Sequence, residues 1–323
     1  MKIAHYLPIQ TLENSTFKSM GWDSDKIYKK TGIQKRHISD KEETALDLAE
    51  NACKKLITKK EKDKIDFLLY ITQSPDYTIP SNCCILQNRL GLNSNIGAID
   101  INMGCSGYIY GISIAKALIQ SKQASQILLV TSDTYTKYIH ARDKANRSIF
   151  GDGSSATLLS KADDRKIGEI VFGTDGAGAM DLHSRRNGLK QIGDDLEEIY
   201  EDKSGNIRKV GDLKMNGPSI FAFTMNKVPE LVDNILDKNK LKKSDITYFL
   251  LHQANAYMLN KLREQLEIEA SRFIIRVKET GNTVSTSIPL VLEDLMPSCK
   301  KGDRILIAGF GVGYSWGGTV ITI

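Results

Sequence analysis

The sequence holds no apolar run of membrane-spanning length. Its hydrophobic stretches, such as Phe67 to Ile71, have the size of buried strands. The first residues, Met1-Lys2-Ile3-Ala4-His5-Tyr6-Leu7-Pro8, lack the long apolar segment of a secretory signal. Cysteine is scarce, with five in 323 residues, and there is no CxxC pair and no Cys/His zinc spacing. This disfavours a disulfide scaffold or a zinc module and points to free thiols in a reducing cytoplasm. Charge of one sign is also missing: 44 basic against 39 acidic residues leaves +5, and the basic residues are scattered. Nucleic acid is therefore not indicated, and neither is a membrane. What remains is ordinary globular composition, 41% hydrophobic and 26% charged, in a chain long enough for one large or two ordinary domains.

Short β-rich runs alternate with helical patterns. Ile65 to Thr72, Asn95 to Asn102 and Ile127 to Ser132 read as strands. Between them, a helix opened by Pro80 runs to Leu90 with Gly91 as its stop, and Cys105 to Ser121 reads as a buried helix. The βαβαβ order implies parallel strands. The second half repeats it with helices at Pro218 to Asp237, after Gln253 and at Thr286 to Met296. Its strands are Thr247 to Leu251, Arg304 to Ala308 and Gly317 to Ile323. The expected organisation is α/β in two similar halves, residues 1–165 and 166–323. The charged stretch from His183 to Lys214 reads as a solvated excursion, or less readily as a lid.

Three junctions carry reactive side chains. In Asp100-Ile101-Asn102-Met103-Gly104-Cys105-Ser106-Gly107 a strand ends, glycines give room, and Cys105 stands at a helix start, where backbone N–H groups and the helix dipole should lower its pKa. His252, in Leu251-His252-Gln253-Ala254-Asn255, follows an apolar strand and could donate to a developing anion. Asn282, in Gly281-Asn282-Thr283, precedes a helix, where an N-cap is the bland alternative. The glycines of Ile307-Ala308-Gly309-Phe310-Gly311 suggest a dinucleotide turn. The βαβ unit and acidic residue that such a turn requires are missing, and a hairpin fits better. No G-x-S-x-G nucleophile elbow is read, which disfavours a serine hydrolase.

Taken together, Gly-Cys105-Ser-Gly, His252-Gln-Ala-Asn and Gly-Asn282-Thr resemble the Cys–His–Asn triad of the ketoacyl-acyl-carrier-protein synthase III family of the thiolase superfamily. Lys29-Lys30-Thr31-Gly32-Ile33, Arg36-His37-Ile38, Phe150-Gly151-Asp152-Gly153 and Gly309 to Gly317 extend the resemblance over nearly the whole chain. It implies a thiolase-like fold, five layers αβαβα, a homodimer, an acyl carrier protein as partner and no cofactor beyond the acyl thioester substrates. The implied reaction is acyl transfer to Cys105 followed by decarboxylative Claisen condensation with a malonyl thioester, in fatty-acid or specialised acyl biosynthesis. His252 and Asn282 would serve the enolate oxygen, and the backbone N–H groups of Cys105 and Val312 the acyl-cysteine oxygen. Ile79, Phe310, Asn255, Thr31 and Lys30 would touch substrate.

The pattern also departs from the family. Valine stands at Val312 where the family has glycine. The position of the tryptophan that stacks on adenine is Lys26, with Trp22 out of register, and the clamp arginine falls near Lys144 or Arg147. A missing aromatic face suggests a donor other than acetyl-coenzyme A, arriving on a carrier protein. At the docking face Tyr257 and Ala222 replace basic residues, which Lys227, Lys261 and Arg263 could restore. Two further readings are an acyltransferase without decarboxylation and a non-catalytic scaffold.

Overall fold

The computed structural model describes residues 1–163, 165–186, 188–191 and 195–323. The first sheet contains β1 (Lys2–Tyr6), β2 (Phe67–Ile71), β3 (Gly97–Ile101), β4 (Gln126–Asp133) and β5 (Gly153–Ser160), in the order β3-β2-β4-β5-β1. β3, β2 and β4 are parallel as the βαβαβ order requires, whereas β5 and β1 are antiparallel. The second sheet contains β6 (Lys166–Ile167), β7 (Val171–Thr174), β8 (Tyr248–Leu251), β9 (Arg304–Gly311) and β10 (Ser315–Thr322). β8 and β9 are parallel, and β10 returns as the expected hairpin and pairs with both β6 and β7. Outside β8 a single parallel bridge, Phe249 to Phe273, stands where the first half has β3.

Five layers, αβαβα, follow from strand alternation. In β2 and β4, Leu69, Ile71, Ile127 and Leu129 face inward, while Leu68, Tyr70, Leu128 and Val130 face outward. The outward face packs on α2 (Ala45–Leu56) and α3 (Asn82–Leu90). The inward face packs on α4 (Gly107–Gln120) and α7 (Ser287–Leu295), which also take Ile305, Ile307 and Leu250 from the second sheet. That sheet's outer face carries Phe249, Leu251, Leu306 and Ala308 against α5 (Gly217–Lys238) and α6 (Ala256–Gln265). A further helix, α1 (Ser24–Thr31), is capped by Asp23 and ends at Gly32 with φ +68°. A Cβ on Gly32 would meet the Ala256 Cβ of α6.

Two expectations need correction. Pro80 does not open a helix: Ser81 is the N-cap, and the Asp100 carboxylate accepts from the N–H groups of Asn82 (2.6 Å) and Cys83 (2.8 Å), which fixes the start at Asn82. The charged excursion is docked rather than simply solvated. Its base pairs Leu182–His183 with Lys214–Met215, and Ile199–Glu201 pairs with Ile207–Lys209. Buried Arg208 bonds Asp143 at 2.7 Å, and Asn206 Oδ1 accepts from Ala145 N–H at 3.1 Å. Residue 187 and residues 192–194 of that stretch lie outside the described residues.

The sheet edges differ. The β1 edge has carbonyls held by side chains, Lys55 to His5 O and Arg165 to Met1 O. At β6 and β7, Lys116 holds Gly168 O and Lys238 holds Ile170 O. β8 is covered, since Phe249 N–H donates to Arg272 O and Ile274 N–H to Phe249 O. No side chain among the described residues caps the carbonyls of β3, whose Ala98 and Ile99 are exposed. No helix among the described residues is long and apolar enough to cross a membrane.

Candidate active site

Cys105 lies in the turn between β3 and α4, and the opposing backbone comes from β9. A Cβ on Gly309 would fall 2.7 Å from Cys105 O, and one on Gly311 would fall 3.0 Å from Cys105 Sγ. The glycine-rich tail therefore lets two backbones meet at the sulfur. The N–H groups of Val312 and of Cys105 itself point at Sγ. Gly313 takes φ +75°, and Val312 is not among the positive-φ residues, so a β-branched side chain is tolerated there.

His252 follows β8, with its N–H bonded to Ala308 O at 2.8 Å. Its Nδ1 lies 2.7 Å from Ser287 Oγ, which already accepts from Gln253 N–H at 3.3 Å. The serine hydroxyl is thus free to donate to Nδ1, which favours the Nε2–H tautomer. Burial pushes His252 down to about 3, so the ring is neutral. Asn282 is held by Ile149 and Gly151: its N–H donates to Ile149 O, and its carbonyl accepts from Gly151 N–H, each at 3.0 Å. Its Oδ1 accepts from Val284 N–H at 2.9 Å, so the amide Nδ2 is the group left for a ligand. Val284 takes φ +53°, a costly conformation for a β-branched residue, next to this amide.

Cys105, His252, Asn282, Asn255 and Phe310 line one cavity of about 160 Å³. Its other walls are mostly apolar, among them Ile149, Phe150, Leu182, Met215, Phe221 and Met258. Phe310 meets the His252 ring edge-on at 5.7 Å. Such a cavity offers one nucleophile, two side-chain donors and two backbone donors to a substrate that brings its own apolar arm. No cluster of three or more His, Cys, Asp or Glu suited to a metal occurs among the described residues.

The sequence matches the family descriptions "3-Oxoacyl-[acyl-carrier-protein (ACP)] synthase III" over residues 99–188 and its C-terminal counterpart over residues 236–323. It is 32% identical over 321 residues to the beta-ketoacyl-[acyl-carrier-protein] synthase III of Clostridium tetani, covering 98% of this chain and 95% of that one. The chain belongs to the 3-oxoacyl-[acyl-carrier-protein] synthase III family. Its thiolase-like fold agrees with a crystal structure of a 3-oxoacyl-(acyl-carrier-protein) synthase III, with TM-score 0.96 and 41% identity over 100% of this chain and 98% of the other. The priming beta-ketosynthase of the R1128 polyketide pathway is also similar, with TM-score 0.88 and 25% identity over 100% and 95% of the two chains.

Against that family pattern, the sequence-derived residues fall into two groups. Cys105, His252, Asn282, Asn255 and Phe310 meet at the cavity. Ile79, Thr31 and Lys30 do not line it. Ile79 is 85% exposed in the loop before α3, and Lys30 is exposed on α1. Thr31 spends its hydroxyl locally, donating to Ile27 O and accepting from Ile33 N–H. Asn255 Oδ1 caps α6 by accepting from Met258 N–H at 2.9 Å. The expected lowering of the Cys105 pKa is overturned: burial, then the nearby Asp133 carboxylate, push the thiol up to about 12, and the two N–H groups offset only part of this. Trp22, out of register in sequence, meets Lys144 Nζ at 5.9 Å from its ring, so an aromatic face is present beside a lysine. Of the residues expected at a docking face, Lys227 and Lys261 pair with Glu230 and Glu264, and Tyr257 packs near Phe221.

Sequence reasoning missed Asp133 and Ser287. Asp133 is fully buried, accepts from Gln73 N–H (2.8 Å) and Ser285 Oγ–H (2.5 Å), and is pushed up to about 7 by burial. A carboxylate closing an apolar strand was its signal. It also missed that Gly313-Tyr314-Ser315-Trp316-Gly317 matches a nucleophile-elbow spacing. The structure puts Ser315 in the β9–β10 hairpin, bonded to Ser106 Oγ at 2.7 Å, so it is no elbow.

Proposed function

We propose that this protein is a decarboxylative condensing enzyme acting on acyl thioesters. The observation that carries the reading is the convergence of thiol, imidazole and carboxamide on one cavity, with two N–H groups aimed at the sulfur. Cys105 Sγ attacks the thioester carbonyl. The donor thiol leaves with the cysteine's proton, and an acyl-enzyme forms. The N–H groups of Cys105 and Val312 hold the carbonyl oxygen as it becomes an anion. A malonyl thioester, delivered by an acyl carrier protein, then loses carbon dioxide. His252 Nε2–H and Asn282 Nδ2–H donate to the resulting enolate oxygen while its carbon attacks the acyl-cysteine. The β-ketoacyl thioester departs, and one proton restores the thiol. Phe310 borders the site of carbon dioxide loss. A neutral His252 suits a donor that must not form an ion pair with the malonyl carboxylate.

Residues 1–165 and 166–323 are read as the two halves, supported by the first sheet ending at Ser160 and the second starting at Lys166. The unguarded β3 edge supports a homodimer, and the five free cysteines support a cytoplasmic location. Intact mass after incubation with acyl-coenzyme A, followed by carbon dioxide release with malonyl-carrier protein, tests the reaction. Acylation without malonyl-dependent carbon dioxide would select the simple acyltransferase, and no acylation would leave only a scaffold. For the dimer, sedimentation of Ile99→Lys should show monomer where wild type shows dimer.

A further inference from the structure

The turn that carries the Val312 N–H is held by residues outside the cavity. Val312–Tyr314 join β9 to β10. Gly313 takes φ +75°, which suits glycine, but Tyr314 takes φ +46°, a costly conformation for a bulky side chain. A strained residue persists where its surroundings fix it, and the contacts of Tyr314 do so. Its ring stacks on Phe223 of α5, with centroids 4.1 Å apart and planes 14° apart. Its hydroxyl donates to Asp181 Oδ2 at 2.6 Å. Its carbonyl accepts from Asp175 N–H at 2.9 Å. Gly178 sits so close that a Cβ there would overlap the ring. Asp181 is committed on its second oxygen too. Oδ1 accepts from Asn216 Nδ2 at 3.0 Å, and Asp181 O accepts from Asn216 N–H at 2.7 Å. Asn216 caps α5, whose first turns bring Gly217, Ile220 and Phe221 to the cavity at Cys105. Neither Tyr314 nor Asp181 lines that cavity. On the inner side, Ser315 Oγ donates to Val312 O at 3.0 Å, which leaves it to accept from Ser106 Oγ at 2.7 Å.

We propose that Tyr314, clamped by Asp181, is a positioning residue that aims the Val312 N–H at the reacting carbonyl oxygen. The inference rests on the reading of Cys105 as the acylated nucleophile and of the Val312 N–H as its oxyanion donor. That donor is a backbone group, so its aim is set by the pose of the turn. Without the hydroxyl, the turn loses one of the contacts that hold it against its strain, and the N–H drifts off the oxygen. An oxyanion donor acts on the transition state more than on the ground state. The loss therefore falls on rate rather than on substrate affinity.

The test measures single-turnover acylation of Cys105 by acyl-coenzyme A, read by intact mass over a range of concentrations. Tyr314→Phe keeps the ring and its stacking and removes only the hydroxyl. Its limiting acylation rate should fall by about tenfold with the half-saturating concentration unchanged, since complete removal of such a donor costs roughly 100- to 1000-fold. Asp181→Ala should match it. Asp181→Asn, whose amide can donate to the phenol oxygen, should stay within about threefold of wild type. Because the Val312 N–H also favours the Cys105 thiolate, the iodoacetamide profile of Tyr314→Phe should move to higher pH. Rates unchanged in both Tyr314→Phe and Asp181→Ala would overturn the proposal, and so would an unshifted profile. A raised half-saturating concentration, or an equal loss in Asp181→Asn, would overturn it as well. Absence of acyl mass in wild type would instead overturn the reading of Cys105, and the positioning role with it.

Discussion

The two halves build their sites at comparable places but contribute different groups. After β3 the first half presents the Cys105 thiol and its own N–H, and the second half adds the Val312 N–H after β9. After β8 and after the bridge at Phe273, the second half presents the side chains of His252 and Asn282. A backbone donor is fixed by the fold and survives the change from glycine to Val312. A side-chain donor needs its own support, which Ser287 gives to His252 and Val284 N–H gives to Asn282. In the proposed mechanism, the difference separates a half that carries the acyl group from a half whose side chains stabilise the enolate.

The sharpest way to break that division is Cys105→Ala, which should abolish acylation outright, as read by intact mass. Equal acyl mass in wild type and variant would end the assignment. Next comes Asn282→Ala. It should keep acylation within a few-fold and lower condensation by about 100- to 1000-fold, measured by single-turnover assays of each stage. Equal losses in both stages would dissolve the contrast between the halves. Gly311→Ala puts a methyl group about 3 Å from Sγ, so acylation should fall by about 100-fold. This loss should appear already in the first stage.

The smallest effect concerns Asp133, which ties Gln73 of one half to Ser285 of the other. Its folded pKa of about 7 lies above the ordinary carboxylate range, so between about pH 4 and 7 the folded chain holds a proton that the unfolded chain has lost. This contribution to stability is present at low pH and is lost as pH rises through 7, with a slope of at most about 1.4 kcal/mol per pH unit. Urea unfolding of Asp133→Asn should lack that slope. Removing the carboxylate should also shift the iodoacetamide profile of Cys105 to lower pH, because Asp133 opposes the thiolate. An unshifted profile would detach Asp133 from the nucleophile.

Most strands and helices were legible because apolar alternation and Gly91-type stops act locally. The convergence of Cys105, His252 and Asn282 was legible because each sits in a short motif, the first two after strands and Asn282 before a helix. What stayed hidden depends on distant partners. Asp100 decides where α3 starts from 18 residues away, and Asp143 pins Arg208 across 65. The thiol's high pKa reflects burial in the assembled core, which the local N-terminal helix signal does not contain. Trp22 packs on Phe17 and meets Lys144, a long-range contact that a gap-free alignment cannot show.

The guarded edges bear on how large an assembly this chain can build. Lysine and arginine side chains close two sheet borders, and the segment around Phe273 closes a third. Among the edges of the two large sheets in the described residues, β3 is the one left to recruit another backbone. In the proposed dimer, one such border per sheet pair would join two copies about a two-fold axis and leave no large-sheet edge to extend a fibre.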